Sequence, residues 1–310
     1  MKQPLTSIIM PTFNCLDYMP HAVASVFAQD MENIELLIAD DGSTDDTWAW
    51  LKDEASKDNR IKPIQTKGVG PANARNICLS HAKGKYISFL DSDDKWRRSK
   101  LKKQIDFLEK NPRVVLSFTD YWHWSVKGDD LGGCFEYWPF FNQIRKKDNE
   151  YHVLAEALGV LYAENVVGTS TVVVRQDAMQ IANGFDSELP SAEDWDLWLR
   201  LARQGDVGYS SQVGMDYLLH RPGSMTQKTQ NRIDAMTSIV AKFKDDVRAM
   251  KMNKKYINIA AANISNARAE QATSSGKHYQ ALTMHLHAAC KYPHWKAFRA
   301  IGSDLKNMIC

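Results

Sequence analysis

Short apolar runs alternate with stretches of helical spacing along the first half of the chain. "SIIM" (7–10) is an apolar run closed by Pro11. Over 17–29, Met19, Val23, Val26 and Phe27 recur at helical intervals, with Pro20 in the first turn, where a missing N–H does no harm. "IELLIAD" (34–40) predicts a second strand, and "IKPIQT" (61–66) a third whose Pro63 suits a sheet edge. Between them "DGSTDDT" offers Ser43 as an N-cap, with Asp46 three residues on. "GPANARNICLSHA" (70–82) predicts a helix opening near Pro71, "YISFL" (86–90) a strand, 97–110 a basic helix, and "VVLSF" (114–118) another strand. Strands separated by helices of this length mean βαβ units and a mostly parallel sheet, an α/β fold.

The second half changes character. Residues 121–151 are aromatic and irregular, a pattern that fits either a substrate-facing loop or aromatic core filling. "TSTVVV" (169–174) predicts a strand. "SAEDWDLWLRLARQG" (191–205) predicts an amphipathic helix ended by Gly205, followed by short strands near 207–211 and 215–219. From Lys228 the spacing is helical throughout and predicts three or four helices. The expected division is an α/β domain over 1–227 and a basic, all-helical C-terminal module over 228–310.

Charge sharpens that division. The 310 residues carry a net +2, but residues 228–310 hold 14 Lys/Arg against 5 Asp/Glu, which leaves 1–227 net acidic. With 44% hydrophobic and 25% charged residues the chain has material for a sizeable core. Five cysteines are scattered without a CxxC pair, which argues against a disulfide framework or a zinc site. The N-terminal apolar run is too short for a signal peptide, and Glu156, Glu164 and Asn165 interrupt the most apolar long stretch. A cytoplasmic protein is expected, with no nucleic-acid partner.

In open α/β sheets, ligands bind outside the carboxyl ends of the strands. Pro11 to Asn14, Asp40 with Asp41, and Asp91 to Asp94 all fall at such ends. In "DSDD" (91–94), carboxylates one residue apart can share Mg²⁺ or Mn²⁺, with phosphate oxygens completing the shell; the plain alternative is an Asp-rich turn before a helix. Asp40 and Asp41 can accept hydrogen bonds from a nucleobase or a ribose. Arg75 can orient these aspartates and face a nucleotide. Glu193 and Asp194 either complement a helix dipole or open onto the cleft, where Asp194 can act as general base. His220, Arg221 and Ser224 lie on a Gly/Pro loop able to close over a diphosphate or to form a surface turn.

The ordered set "SIIMPTFN", "IADDGSTDDT", "GPANARN", "GKYISFLDSDDKW", "GTSTVVV", "GFDSELPSAEDWDLWLRLA" and "HRPGSMT" resembles the family 2 glycosyltransferases with the GT-A fold. The resemblance runs from about Thr6 to Thr226. It implies metal-dependent, inverting transfer of a hexose or N-acetylhexosamine from a nucleotide-sugar, usually a UDP-sugar, to a glycan or lipid-linked glycan, in cell-surface polysaccharide or lipopolysaccharide synthesis. Carried over, Pro11, Phe13, Asp41 and Arg75 line the uridine pocket with Asp40 beside them. Asp91 lies near the ribose and metal, Asp93 is the main metal ligand with Asp94 close by, and Asp194 is the base supported by Glu193. His220, Arg221 and Ser224 match a diphosphate-closing region. The alternative is an inactive nucleotide-binding module acting through its helical tail. The basic stretch "KWRRSKLKK" (95–103), with six Lys/Arg, and the basic tail raise peripheral contact with an anionic membrane at the cytoplasmic face of the inner membrane, against an ordinary solvated helix face.

Overall fold

The computed structural model describes residues 3–219, 229–251 and 253–309. Ten strands form one sheet: β1 (Thr6–Thr12), β2 (Ile34–Asp40), β3 (Ile61–Gln65), β4 (Tyr86–Phe89), β5 (Lys95–Trp96), β6 (Val114–Ser125), β7 (Asp130–Gly133), β8 (Tyr151–Val153), β9 (Val173–Arg175) and β10 (Asp206–Leu219). Their order is β3-β2-β1-β4-β9-β6-β10-β5, with β7 paired to β6 and β8 to β10. The first four strands are parallel, as are β6 and β10, while β9 runs antiparallel between β4 and β6. The mostly parallel sheet is the one the alternation predicts, and Pro63 does sit on the edge strand.

All seven residues of β2 are buried, as a parallel strand covered on both faces requires. Side-chain alternation along β1 divides the apolar interior into two layers. Ile8 and Met10 join Leu36, Ile38 and Tyr86 in one, and Ile9 joins Leu37, Ile87 and Phe89 in the other. The entry to β4 is tight. The Gly84 amide donates to Ser7 Oγ at 2.8 Å, and a Cβ at Gly84 would stand 2.4 Å from the Ser7 nitrogen. This position admits no side chain, which fixes β4 against β1 and aims its far end at the sheet edge.

Four helices make up the C-terminal region: Thr229–Arg248, Asn253–Ser274, His278–Lys291 and Trp295–Ile309. The first two share the larger apolar layer, where Ile239, Phe243, Tyr256 and Ile259 pack with Trp195 and Trp198. The Tyr256 hydroxyl donates to Glu156 at 2.8 Å, Asn263 Nδ2 to the Ala163 carbonyl at 2.8 Å, and Lys242 Nζ to buried Asp196 at 2.6 Å.

Several local expectations change. The basic helix begins at Lys100, because Lys95 and Trp96 pair with β10. Lys100 is buried with its amine 4.3 Å from the Trp96 ring centre, and burial drives its pKa well down. Arg97, Arg98 and Lys102 are paired with Asp216, Asp30 and Asp106, so this stretch is not an uncommitted basic face. Ser43 does not cap the second helix, which starts at Thr47, whose amide donates to Asp45 at 3.0 Å. Residues 169–171 form a 3₁₀ turn before β9, and the two short strands after 205 are one strand with register shifts between Ser210 and Met215. Within the aromatic stretch, Phe135, Phe140 and Phe141 fill the core beside Phe118 and Tyr209. Among the described residues no helix is long and apolar enough to cross a membrane.

Candidate active site

Three strand ends meet at one edge. Thr12 pairs with Asp40 across β1 and β2, and the Asp41 amide donates to the Thr12 carbonyl at 2.9 Å. Asn14 then ties the loop after β1 to the loop after β2: its amide donates to Ser43 Oγ at 2.9 Å, and its side-chain oxygen accepts from the Thr44 amide at 2.8 Å. Asp40 is buried and accepts from the Ser43 hydroxyl. Asp41 gathers the next loop about itself, accepting from Thr66 Oγ1 at 2.7 Å and from the Val69 and Gly70 amides at 2.8 Å each. Gly70 has φ +83°, a conformation that favours glycine and sets the start of the helix Pro71–His81. Phe13 stands 54% exposed beside half-buried Pro11, an open ring face at the edge.

Arg75, on that helix, is buried and bridges two segments. One amino group donates to Asp91 at 2.7 Å and the other to Glu193 at 2.9 Å, while the guanidinium lies 5.3 Å from the Phe185 ring centre. Burial alone would lower its pKa, but the two carboxylates outweigh it and raise it further. The turn after β4 is pinned from beneath by Ser170: the Asp91 amide donates to its hydroxyl at 2.9 Å, and that hydroxyl donates to buried Asp94 at 2.5 Å. Trp96 Nε1 donates to the Ser170 carbonyl at 2.6 Å. Asp93 is half-buried on the same turn.

Asp194 is the second residue of the helix Glu193–Ala202 and is half-buried. Thr169 Oγ1 donates to Oδ2 at 2.8 Å, and the Trp195 amide donates to Oδ1 at 2.7 Å. Burial, with the neighbouring Glu193 charge, lifts its pKa to about 6 against the opposing pull of Thr169 and Arg75. A base of that strength is ionised at neutral pH yet has a raised proton affinity.

These groups line a cleft of about 350 Å³. Arg75, Asp91, Asp94, Glu193 and Asp194 contribute its charged lining. Tyr121, Trp138 and Tyr217 also line it, together with Arg232, Met236 and Asn263 from the C-terminal helices. A smaller cavity of about 190 Å³ adjoins it at Ser191 and Glu193, between residues 69–73 and 187–191. Pro11, Phe13, Asp40 and Asp41 stand at the neighbouring strand ends outside the lining. His220, Arg221 and Ser224 lie outside the described residues. Sequence reasoning did not single out Thr169 and Ser170 as site residues, although both lie in "GTSTVVV". It also gave no sign of Arg232 or Asn263, which have no local signature.

The three aspartates of "DSDD" do not converge, and among the described residues no three His, Cys, Asp or Glu side chains form a metal-holding group. The reason is local: Asp94 turns inward to Ser170, and Asp91 commits an oxygen to Arg75. A hard divalent ion held at this edge would take most of its shell from a ligand's phosphates rather than from a protein cage, as Mg²⁺ sites commonly do.

The comparisons follow the same lines. The sequence profile described as "Glycosyl transferase family 2" matches residues 7–161. The chain is 32% identical over 223 residues to the Escherichia coli UDP-Glc:alpha-D-GlcNAc-diphosphoundecaprenol beta-1,3-glucosyltransferase WfaP, covering 72% of this chain and 80% of that one. It is 34% identical over 202 residues to a glycosyltransferase of Rickettsia felis, covering 65% of this chain but only 31% of that longer protein; a Rickettsia conorii relative is likewise matched over 31% of its length. In fold it resembles S. aureus TarS 1–349 (TM-score 0.63, 17% identity, 97% of this chain and 88% of that one). It also resembles the mannosyltransferase PcManGT of Pyrobaculum calidifontis (TM-score 0.62, 16% identity, 99% and 86%), so the architecture is GT-A. On the profile match and the relative covered over four fifths of its length, the chain belongs to glycosyl transferase family 2.

Proposed function

We propose that the cleft transfers a sugar from a nucleotide-sugar, first of all a UDP-sugar, to a hydroxyl of a glycan or lipid-linked glycan, with inversion at the anomeric carbon. The observation that carries this reading is Asp194, a half-buried carboxylate of raised proton affinity held by Thr169 in a cleft that Arg75, Asp91 and Arg232 also line. The acceptor oxygen forms a bond to the anomeric carbon while the bond to the diphosphate oxygen breaks on the opposite face. The acceptor proton passes to Asp194, and the nucleoside diphosphate leaves with the bonding pair. Glu193, held by Arg75, keeps a second negative charge near Asp194 and raises its basicity.

Asp93 and Asp91 would hold Mn²⁺ or Mg²⁺, with Asp94 anchoring their turn, and such an ion would supply positive charge for the departing diphosphate. Pro11, Phe13, Asp40 and Asp41 would receive the nucleobase and ribose, and His220, Arg221 and Ser224 would close over the diphosphate. Support for donor and acceptor class comes from the names of the relatives. WfaP is a UDP-Glc-dependent transferase to a diphosphoundecaprenol-linked GlcNAc, TarS was solved with UDP-GlcNAc, and PcManGT with GDP-Man and Mn²⁺. The setting proposed is cell-surface polysaccharide synthesis.

The test is a panel of UDP-, GDP- and dTDP-sugars, with and without Mn²⁺, read by donor hydrolysis and thermal shift beside Asp93→Ala and Asp194→Asn. One nucleotide-sugar stabilises the wild type, its metal-dependent part is lost in Asp93→Ala, and slow hydrolysis is lost in Asp194→Asn although binding persists. Hydrolysis undiminished in Asp194→Asn refutes the assignment of the base. No shift with any donor refutes the donor site.

A further inference from the structure

The last helix, Trp295–Ile309, turns an apolar stripe to solvent. Trp295 and Phe298 are 62% and 60% exposed, and Leu305 is 47% exposed. Their spacing, with Gly302 between, sets them on one side of the helix. Exposed Arg299 and Lys306 border that stripe. The helix's own carboxylate, Asp304, is buried and bound to His285 at 2.5 Å and Thr273 at 3.3 Å, so no exposed acid on this helix offsets Arg299 and Lys306; exposed Glu136 lies beside Lys296.

The same helix is fastened to the cleft rim. Lys296 Nζ donates to the Tyr137 carbonyl at 2.6 Å and lies 4.4 Å from the Tyr137 ring centre and 5.7 Å from that of Trp295. Tyr137, itself 55% exposed, packs edge-on at 5.2 Å against Trp138, which lines the cleft. An aromatic surface therefore runs from the helix through Tyr137 to Trp138 of the cleft lining.

We propose that this face docks on an anionic lipid bilayer, with Trp295, Phe298 and Leu305 seated at the headgroup–acyl boundary and Arg299 and Lys306 against lipid phosphates. Charge decides the occupant. A second copy would bring the same cations face to face, whereas an anionic surface attracts them, and aromatic side chains beside cations are the composition of interfacial helices. Docking would bring the cleft rim to the surface from which a lipid-linked acceptor is presented, and to that extent it rests on the glycosyl-transfer reading.

Co-sedimentation of the full chain with vesicles tests it, comparing phosphatidylglycerol-containing with pure phosphatidylcholine vesicles at low and high salt. The wild type binds the anionic vesicles at low salt and is released by salt. The pairs Trp295→Ala with Phe298→Ala, and Arg299→Gln with Lys306→Gln, each weaken binding by about tenfold or more. Both pairs keep the wild-type melting temperature and vesicle-free donor hydrolysis, which separates a failure of docking from a failure of the transferase reading. Absence of binding to anionic vesicles at low salt overturns the proposal, as does binding that neither pair weakens. A dimer in sedimentation velocity that Trp295→Ala with Phe298→Ala abolishes, without vesicle binding, assigns the face to a second copy and overturns it as well.

Discussion

Removing one hydroxyl from Thr169 moves the pH dependence of the reaction in a direction the geometry dictates. Thr169 Oγ1 donates to Asp194 Oδ2 at 2.8 Å, and a donor on a carboxylate favours its ionised form. Thr169→Val keeps the β-branched shape and deletes that donor. A hydrogen bond to a charged group contributes roughly 1.5–3 kcal/mol, and one pKa unit corresponds to about 1.4 kcal/mol; taking the lower end, as suits a neutral hydroxyl donor, the pKa rises by about one unit. Starting from about 6 it reaches about 7. At pH 6.5 the ionised fraction of the base then falls from about three quarters to about one quarter, so kcat/KM drops about threefold, while at pH 8.5 the change is slight. The assay is a pH profile of kcat/KM for donor and acceptor together. In wild type the acidic limb bends near pH 6, and in the variant it bends near pH 7. A variant whose rate falls equally at every pH, with its limb unmoved, refutes the view that Thr169 acts by holding the charge on Asp194.

Other perturbations test other joints. Arg75→Lys cannot reach both Asp91 and Glu193 with a planar fork, so kcat/KM falls roughly tenfold to a hundredfold and the melting temperature drops; retention of both refutes the bridge. Glu164 is buried, accepts from the Phe140 and Phe141 amides, and has its pKa pushed up to about 7 by burial. The folded state therefore binds more protons than the unfolded one between about pH 4.5 and 7, and stability falls as pH rises through that window, by about 3 kcal/mol at most. Urea titrations of Glu164→Gln across that range should show a flatter pH dependence than wild type. Arg232→Ala raises the acceptor KM several-fold and lowers donor hydrolysis less, which steady-state kinetics with varied acceptor checks.

The half of the site built from single continuous stretches was legible before any coordinates. An apolar run followed by "DSDD" or "DDGSTDD" puts carboxylates at the end of a parallel strand, where ligands bind, although the same letters also suit a turn or a helix cap. The proline at position 63 marked the edge strand for the same local reason. What local pattern did not reveal depends on residues distant in sequence. Ser43 has the composition of a cap, yet the nearby Asp40 carboxylate and the Asn14 amide engage it instead. Lys100 reads as one cation among six, but the pairing of Lys95 and Trp96 with β10 carries it inside. Arg232 and Asn263 reach the cleft only because their helices pack onto the segment Ala157–Ala163, and no residue near them advertises that.

The shared apolar layer between the sheet and the first two C-terminal helices has a practical consequence for recombination. A chimera joined at 227/228 would set Ile239, Phe243 and Tyr256 of one parent against Trp195 and Trp198 of the other, and mismatched volumes in a dense interior cost stability. A joint after Ser274 instead meets the small cluster of Ala269, Ala272 and Ala281, with Tyr292 against the larger layer and the Thr273–Asp304 and Lys296–Tyr137 hydrogen bonds crossing it. Interchange of the last two helices alone is therefore the milder swap, provided the host keeps partners for Lys296 and Asp304, and it would carry the exposed Trp295 face to a new host while leaving Arg232 and Asn263 of the cleft with their original owner.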